Sequence, residues 1–196
     1  MTALYIIVGF LAMVGLLFLL TLVKLFAGRR KVAGELASVA LEKFSSTGEV
    51  ENLSILPIID YYAENENLKT EAGVSYLVKA DDYTILMDVG LNASSSHPSP
   101  LLQNMDQLGV SMDDLNAIFI SHVHLDHVGG MRDQKNSTFS PSAGKVVVPS
   151  VPVYAPEQVA PSSHVQVDRM DVHIASEPVE ITRGVYSMGA MPRFLY

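Results

Sequence analysis

The sequence predicts an α/β domain of the α+β kind behind one N-terminal membrane-spanning helix. Three observations lead there. From Ala3 to Val23 run 21 consecutive uncharged residues, mostly aliphatic or aromatic. Between Leu53 and Ser121, short strand candidates alternate with one well-marked helix. Directly after the last of them, Ser121-His-Val-His-Leu-Asp-His-Val-Gly-Gly130 gathers three of the six histidines and an acid within six positions. Once the apolar run is set aside, roughly 165 residues remain, enough for one ordinary domain. The expected organisation is a spanning helix over 1–27, a basic juxtamembrane segment and linker over 28–52, and the domain over 53–196.

At 1.5 Å per residue, the first run is long enough to cross a hydrocarbon core of about 30 Å as a helix. A buried core helix, the start of a larger bundle and a cleaved signal peptide are the rival readings. A signal peptide carries a basic stretch before a shorter apolar one, whereas here nothing basic precedes the run and Lys24, Arg29, Arg30 and Lys31 follow it. Basic residues flanking a span stay on the cytoplasmic side, so the expectation is a single-pass membrane protein with its soluble domain in the cytoplasm. The same four residues can rest against anionic headgroups.

They are also the only charged side chains before Glu35. The rest of the chain holds 9 basic and 21 acidic residues, a formal charge of −12. With no further Lys/Arg cluster, such a body repels a phosphate backbone, and nucleic acid is not an expected partner. The absence of cysteine excludes a disulfide framework, a thiolate zinc site and a cysteine nucleophile.

Leu36, Val39, Ala40 and Phe44 recur at helical spacing and predict a short amphipathic helix over Glu35–Phe44, with Ser45 to Gly48 as a linker. Leu53–Ile59 is apolar but contains Pro57, which confines it to an edge strand. Val74–Lys79 and Thr84–Val89 flank Ala80-Asp81-Asp82 and predict a hairpin. Ser99 followed by Pro100 is a cap and first helical position, Leu101, Leu102, Met105 and Leu108 share a face, and Gly109 stops the helix. Asn116–Ser121 is nearly continuous in apolar residues, as suits a strand buried on both faces. Met131–Gly144 is polar and predicts a loop. Val146–Val148, Val151–Tyr154, Val172–Ala175 and Gly184–Met188 predict short strands.

A lone histidine is best read as a solvated side chain, but four donors in six positions after a buried strand are not. A strand end gives a rigid origin, the loop lets His122, His124, Asp126 and His127 converge, and Gly129-Gly130 permits a sharp exit. Imidazole and carboxylate suit a divalent metal: zinc, and also iron or manganese.

The stretch His122-Val-His-Leu-Asp-His127 resembles the signature of the metallo-β-lactamase superfamily, and Met87-Asp88-Val89-Gly90 stands where that superfamily has a strand ending in an Asp-x-Gly turn. The segment from Thr70 to Val78, through Ile85 to Gly90, to Leu108-Gly-Val and Asp114-Leu-Asn-Ala-Ile118 is more similar to the branch of dihydropterin ribofuranosylaminobenzene phosphate synthase-like metallohydrolases. The resemblance covers about residues 53 to 196. It implies an αβ/βα sandwich, of which this chain carries the first part, and a site with two metals, zinc in most readings. His122 and His124 would bind the first metal, and Asp126 and His127 the second. A water between the metals would lose its proton near neutral pH and act as nucleophile, with Asp126 orienting it. Asp88 would hydrogen-bond around the site and hold a ligand in place, although an Asp that merely opens the turn before Gly90 fits as well.

The superfamily completes its site with a third histidine for the first metal, a bridging aspartate and a final histidine. Gly184-Val-Tyr-Ser-Met-Gly189 resembles the strand shortly before that third histidine, and the only downstream histidines, His164 and His173, stand in no matching context. The chain is therefore expected to be truncated on its C-terminal side, with one face of its sheet uncovered and the first metal site one ligand short. Two functions follow: a membrane-anchored metal-dependent hydrolase acting on an ester, phosphate ester or related small molecule, or a catalytically incomplete module for metal binding or protein association. A two-iron redox variant is a minor third.

Overall fold

The apolar run does not end at its basic flank: it continues as one helix, α1 (Thr2–Ser38). The computed structural model describes residues 2–38 and 48–190. Within α1, Tyr5–Arg30 has a mean hydropathy of 2.9 and no burial against other parts of the chain. It is the one helix among the described residues long and apolar enough to cross a membrane. A helix that is apolar all round is either enclosed in protein or surrounded by lipid. Beyond Ser38, the amphipathic helix expected over Glu35–Phe44 falls outside the described residues, as does the linker before Gly48. The chain divides into two compact units, one containing α1 and the other spanning Ser46–Met191.

In the second unit, β1 (Leu53–Ile59), β2 (Ser75–Ala80) and β3 (Tyr83–Met87) form an antiparallel meander, with Leu53 opposite Ala80 and Lys79 opposite Thr84. Asp81 occupies the hairpin turn at φ 52° and accepts the backbone N–H groups of Glu51 and Asn52, which ties the incoming chain to the turn. Pro57 lies on the edge strand, beside a register shift before Ile59, because it has no N–H to give a ladder. Next come α2 (Pro100–Leu108) and the buried strand β4 (Ala117–Phe119), then α3 (Leu125–Val128) and α4 (Met131–Asn136). The remaining strands are β5 (Thr138–Phe139), β6 (Val146–Val147), β7 (Val153–Ala155), β8 (Ala160–Pro161), β9 (Val165–Gln166), β10 (Val172–Ile174), β11 (Val179–Thr182) and β12 (Val185–Ser187).

Six strands make the main sheet, in the order β1-β2-β3-β4-β7-β10, parallel from β3 onward. Pairing puts Leu56, Leu77, Leu86, Ile118 and Val153 in one row across a single face. Leu86, Ile118 and Val153 are fully buried, each contributing roughly 1.5–3 kcal/mol. They share their core with Leu101 and Met105 of α2. The Ser99 hydroxyl accepts the N–H of Leu102 and Gly109 closes α2 in the left-handed region, as the sequence indicates.

The polar stretch after Gly130 departs from expectation, since Met131–Asn136 is helical rather than loop. Its polar residues work inward: Asp133 is buried and accepts the Thr138 hydroxyl at 2.8 Å, while the Gln134 side chain accepts the N–H of Leu125 at 3.0 Å. Six residues with no apolar stripe give no periodic signal. The two-residue ladders β5–β8 and β6–β9 are likewise set by distant partners rather than by local pattern.

Candidate metal centre

Parallel pairing of β3 with β4 puts Met87 opposite Phe119, so the chain leaves both strands at the same end of the sheet, where open α/β sheets hold ligands. Asp88 follows β3 in the left-handed region at φ 60°, its N–H bonded to the Phe119 carbonyl and its own carbonyl accepting the Ser75 hydroxyl. Its carboxylate is fully buried. Oδ1 accepts the Ser121 N–H at 2.8 Å, and Oδ2 accepts the Ser121 hydroxyl at 2.7 Å and lies 2.8 Å from Nδ1 of His127. The two readings of Asp88 thus merge: it turns the chain, and it holds an imidazole.

The histidine loop is strapped on several sides. His124 opens α3, and Gly129 closes it at φ 96°. The N–H of Val123 is accepted by Glu157 at 2.8 Å, that of Leu125 by Gln134, and that of Val74 by the Asp126 carbonyl at 3.1 Å. Glu157 and Gln134 carry no motif and hold backbone groups 34 and 9 residues away, so local sequence offers no signal for them, and although Ser121 heads the histidine stretch, nothing local shows its bond to Asp88, 33 residues away.

The four expected donors lie on one loop, and the structure sets three of their rings side by side and pairs Asp126 with His127. The His122 ring lies 4.5 Å from that of His124 and 4.0 Å from that of His127, centroid to centroid. Asp126 Oδ2 is 3.3 Å from His127 Nε2. Two donors about 2.05 Å from one ion at tetrahedral angles stand about 3.3 Å apart, so this pair fits a common cation. The fit is stricter because Nδ1 of His127 is already engaged by Asp88, so that Nε2, which faces Asp126, is the nitrogen that would meet a cation. Burial pulls the His127 pKa down, but the hydrogen bond to Asp88 and the charges of Asp88 and Asp126 outweigh it and raise it overall. Among the described residues, no group of three or more His, Asp or Glu side chains stands close enough together to hold a metal ion. His164 instead sets its Nε2 2.9 Å from Arg132, and His173 stacks on Tyr154 with Nε2 3.3 Å from Asp171. A cavity of about 360 Å³, within the usual range for small-molecule sites, borders the loop at Leu91, Asn92, Leu125, Gly130 and Arg132.

The model of the metallo-beta-lactamase superfamily matches residues 68–189, well over half of the chain and all of this site. The chain belongs to that superfamily. This metallo-beta-lactamase superfamily member is 32% identical over 106 residues to the transcription termination factor FttA of Cenarchaeum symbiosum, covering 54% of this chain and 15% of that protein. It is 29% identical over 85 residues to the 7,8-dihydropterin-6-methyl-4-(beta-D-ribofuranosyl)-aminobenzene-5'-phosphate synthase of Methanocaldococcus jannaschii, covering 43% and 29%. The expected likeness to that synthase is thereby met at low identity. Among solved structures, a quorum-quenching N-acyl homoserine lactone lactonase aligns over 70% of this chain and 62% of its own, at 18% identity and a TM-score of 0.40. The chain thus spans between 15% and 29% of the length of these two curated relatives.

Proposed function

We propose that this chain is a membrane-anchored, metal-dependent hydrolase of esters, phosphate esters or related small molecules, with its metal held by His122, His124, Asp126 and His127. The observation that carries the reading is the 3.3 Å spacing of Asp126 Oδ2 and His127 Nε2, with the opposite nitrogen of His127 tied to buried Asp88. The donor set favours zinc, with iron or manganese as alternatives, and the superfamily supports two ions. A bound divalent ion supplies Lewis acidity and lowers the pKa of water to about 7. The chain's own residues do the rest: Asp88 fixes the His127 tautomer, Glu157 and Gln134 hold the loop backbone, and the cavity beside Leu125 and Gly130 receives the substrate. Asp126, far more open than Asp88, orients the attacking water.

Anchoring is assigned to α1, and the basic residues that follow the Ala3–Val23 run support a cytoplasmic side for the second unit. Full-length chain purified in detergent and loaded with zinc or manganese is expected to hydrolyse a generic phosphodiester, lactone or thioester. Changing His122 and His124 together to Ala is expected to abolish turnover. Full metal loading without turnover of any of the three substrate types would favour the non-catalytic module. Resistance of the chain to alkaline extraction from membranes tests the anchor; release into the soluble fraction refutes it.

A further inference from the structure

We propose that Ser121 is a positioning residue that extends the control of Asp88 from His127 to His122, fixing both imidazoles with Nδ1 protonated and Nε2 turned to the metal. The inference rests on the metal reading above, but it concerns an atom which that reading does not use. Ser121 Oγ lies 2.7 Å from Asp88 Oδ2, 3.0 Å from His122 Nδ1 and 3.3 Å from His127 Nδ1. A hydroxyl has one proton to give and two lone pairs to receive with. The carboxylate of Asp88 can only accept, so the hydroxyl proton goes to it.

What remains on Ser121 Oγ toward His122 is a lone pair, and a lone pair at 3.0 Å attracts Nδ1 only if that nitrogen carries a hydrogen. His122 is thereby held in the Nδ1–H form, with the ring lone pair on Nε2. His127 reaches the same form by its own bond of 2.8 Å to Asp88 Oδ2, the 3.3 Å approach to Ser121 being secondary. Ser121 is itself fixed, because its backbone N–H is bonded to the other oxygen of the same carboxylate. One buried acid thus sets the tautomer of one histidine directly and of a second through a hydroxyl. Metal-binding histidines commonly rely on a carboxylate or carbonyl at the second nitrogen; here a serine transmits that role from the carboxylate to a second ring.

The test uses full-length, metal-free chain in detergent micelles with ¹⁵N-labelled histidine, with the pH raised until the ring signals stop changing, so that the imidazoles are read in their neutral form. Long-range ¹H–¹⁵N correlation spectra report which ring nitrogen is protonated, and a His122→Gln sample assigns the signals. The wild type is expected to show His122 as Nδ1–H. Ser121→Ala is expected to populate both tautomers of His122, leave His127 unchanged and weaken zinc binding about 10- to 100-fold, the usual range for loss of an outer partner. Ser121→Thr, which keeps the hydroxyl, is expected to restore both readouts. If Ser121→Ala does not fold, Ser121→Cys replaces it, since a thiol is a poor donor and acceptor.

An unchanged His122 tautomer in Ser121→Ala overturns the proposal, and so does a tautomer change that leaves zinc affinity intact. Failure of the wild type to bind zinc, with the tautomers behaving as stated, overturns the metal reading while upholding the role of Ser121 in orienting His122.

Discussion

Changing Asp88 to Asn isolates the charge and acceptor capacity of the buried acid with little change in shape. Asn is among the few residues that tolerate the left-handed region, so the φ of 60° at this position adds little strain. The carboxylate accepts the Ser121 N–H, the Ser121 hydroxyl and His127 Nδ1–H. An amide has one acceptor oxygen. Turned toward the hydroxyl and His127, it sets its NH₂ against the Ser121 N–H at a separation of 2.8 Å, donor against donor. An unsatisfied buried donor costs about 1–3 kcal/mol, and two bonds that lose their charge assistance cost roughly 1 kcal/mol each. Turned the other way, the amide forces His127 into the Nε2–H form, which cannot bind a metal through Nε2. The metal-free variant is thus expected to lose about 3–5 kcal/mol of stability in urea titrations, and competition with a chelating dye should show zinc affinity down at least about 10-fold. A denaturation midpoint and zinc affinity equal to those of the wild type would refute this account of Asp88.

Three further outcomes follow from the geometry. Gly129→Ala puts a Cβ against the Ser140 carbonyl oxygen in a residue at φ 96°, and the clash and the backbone strain together are expected to lower stability by about 2–5 kcal/mol; a melting temperature within 2 °C or so of the wild type would contradict it. Asn104 is fully buried, donates to the carbonyls of Ile58 and Lys69 and accepts the Lys69 N–H, so Asn104→Ala is expected to cost about 2–4 kcal/mol and to speed hydrogen exchange at Lys69; unchanged exchange there would count against it. Burial, then the hydrogen bond to Asp60 and the charges of Asp60 and Asp88, push the Tyr76 phenol above its ordinary pKa of 10. Because the folded state holds that proton more tightly, the contribution is complete below about pH 10 and is lost as pH rises through the folded value. The stability advantage of the wild type over Tyr76→Phe should therefore shrink as pH rises above about 10, and a constant difference there would refute the shift.

Much of this arrangement is legible in the sequence because its causes are local. Ser99, Pro100 and Gly109 mark α2 by caps that act within four residues, Pro57 marks an edge by lacking a donor, and the apolar run before Ser121 marks a strand covered on both faces. The histidine cluster is legible because its donors are neighbours in the chain. The rest is written in contacts between distant positions. Ser121 and Glu157 are ordinary polar residues until the fold sets one against Asp88 and the other against Val123, 33 and 34 residues away. The same holds for Asn104 and Lys69, 35 residues apart. For α4, polar residues whose partners are backbone groups and buried acids mimic the composition of a loop.

The claim at the centre is that His122, His124, Asp126 and His127 together hold a divalent metal. Its most direct test is the metal content of full-length chain after zinc loading and gel filtration, measured by mass spectrometry for the wild type, for the His122→Ala, His124→Ala double variant and for Asp126→Ala. The account predicts at least one equivalent of zinc in the wild type and a loss in both variants with the fold intact by circular dichroism. Zinc retained in full by folded variants would place the metal elsewhere and contradict the account.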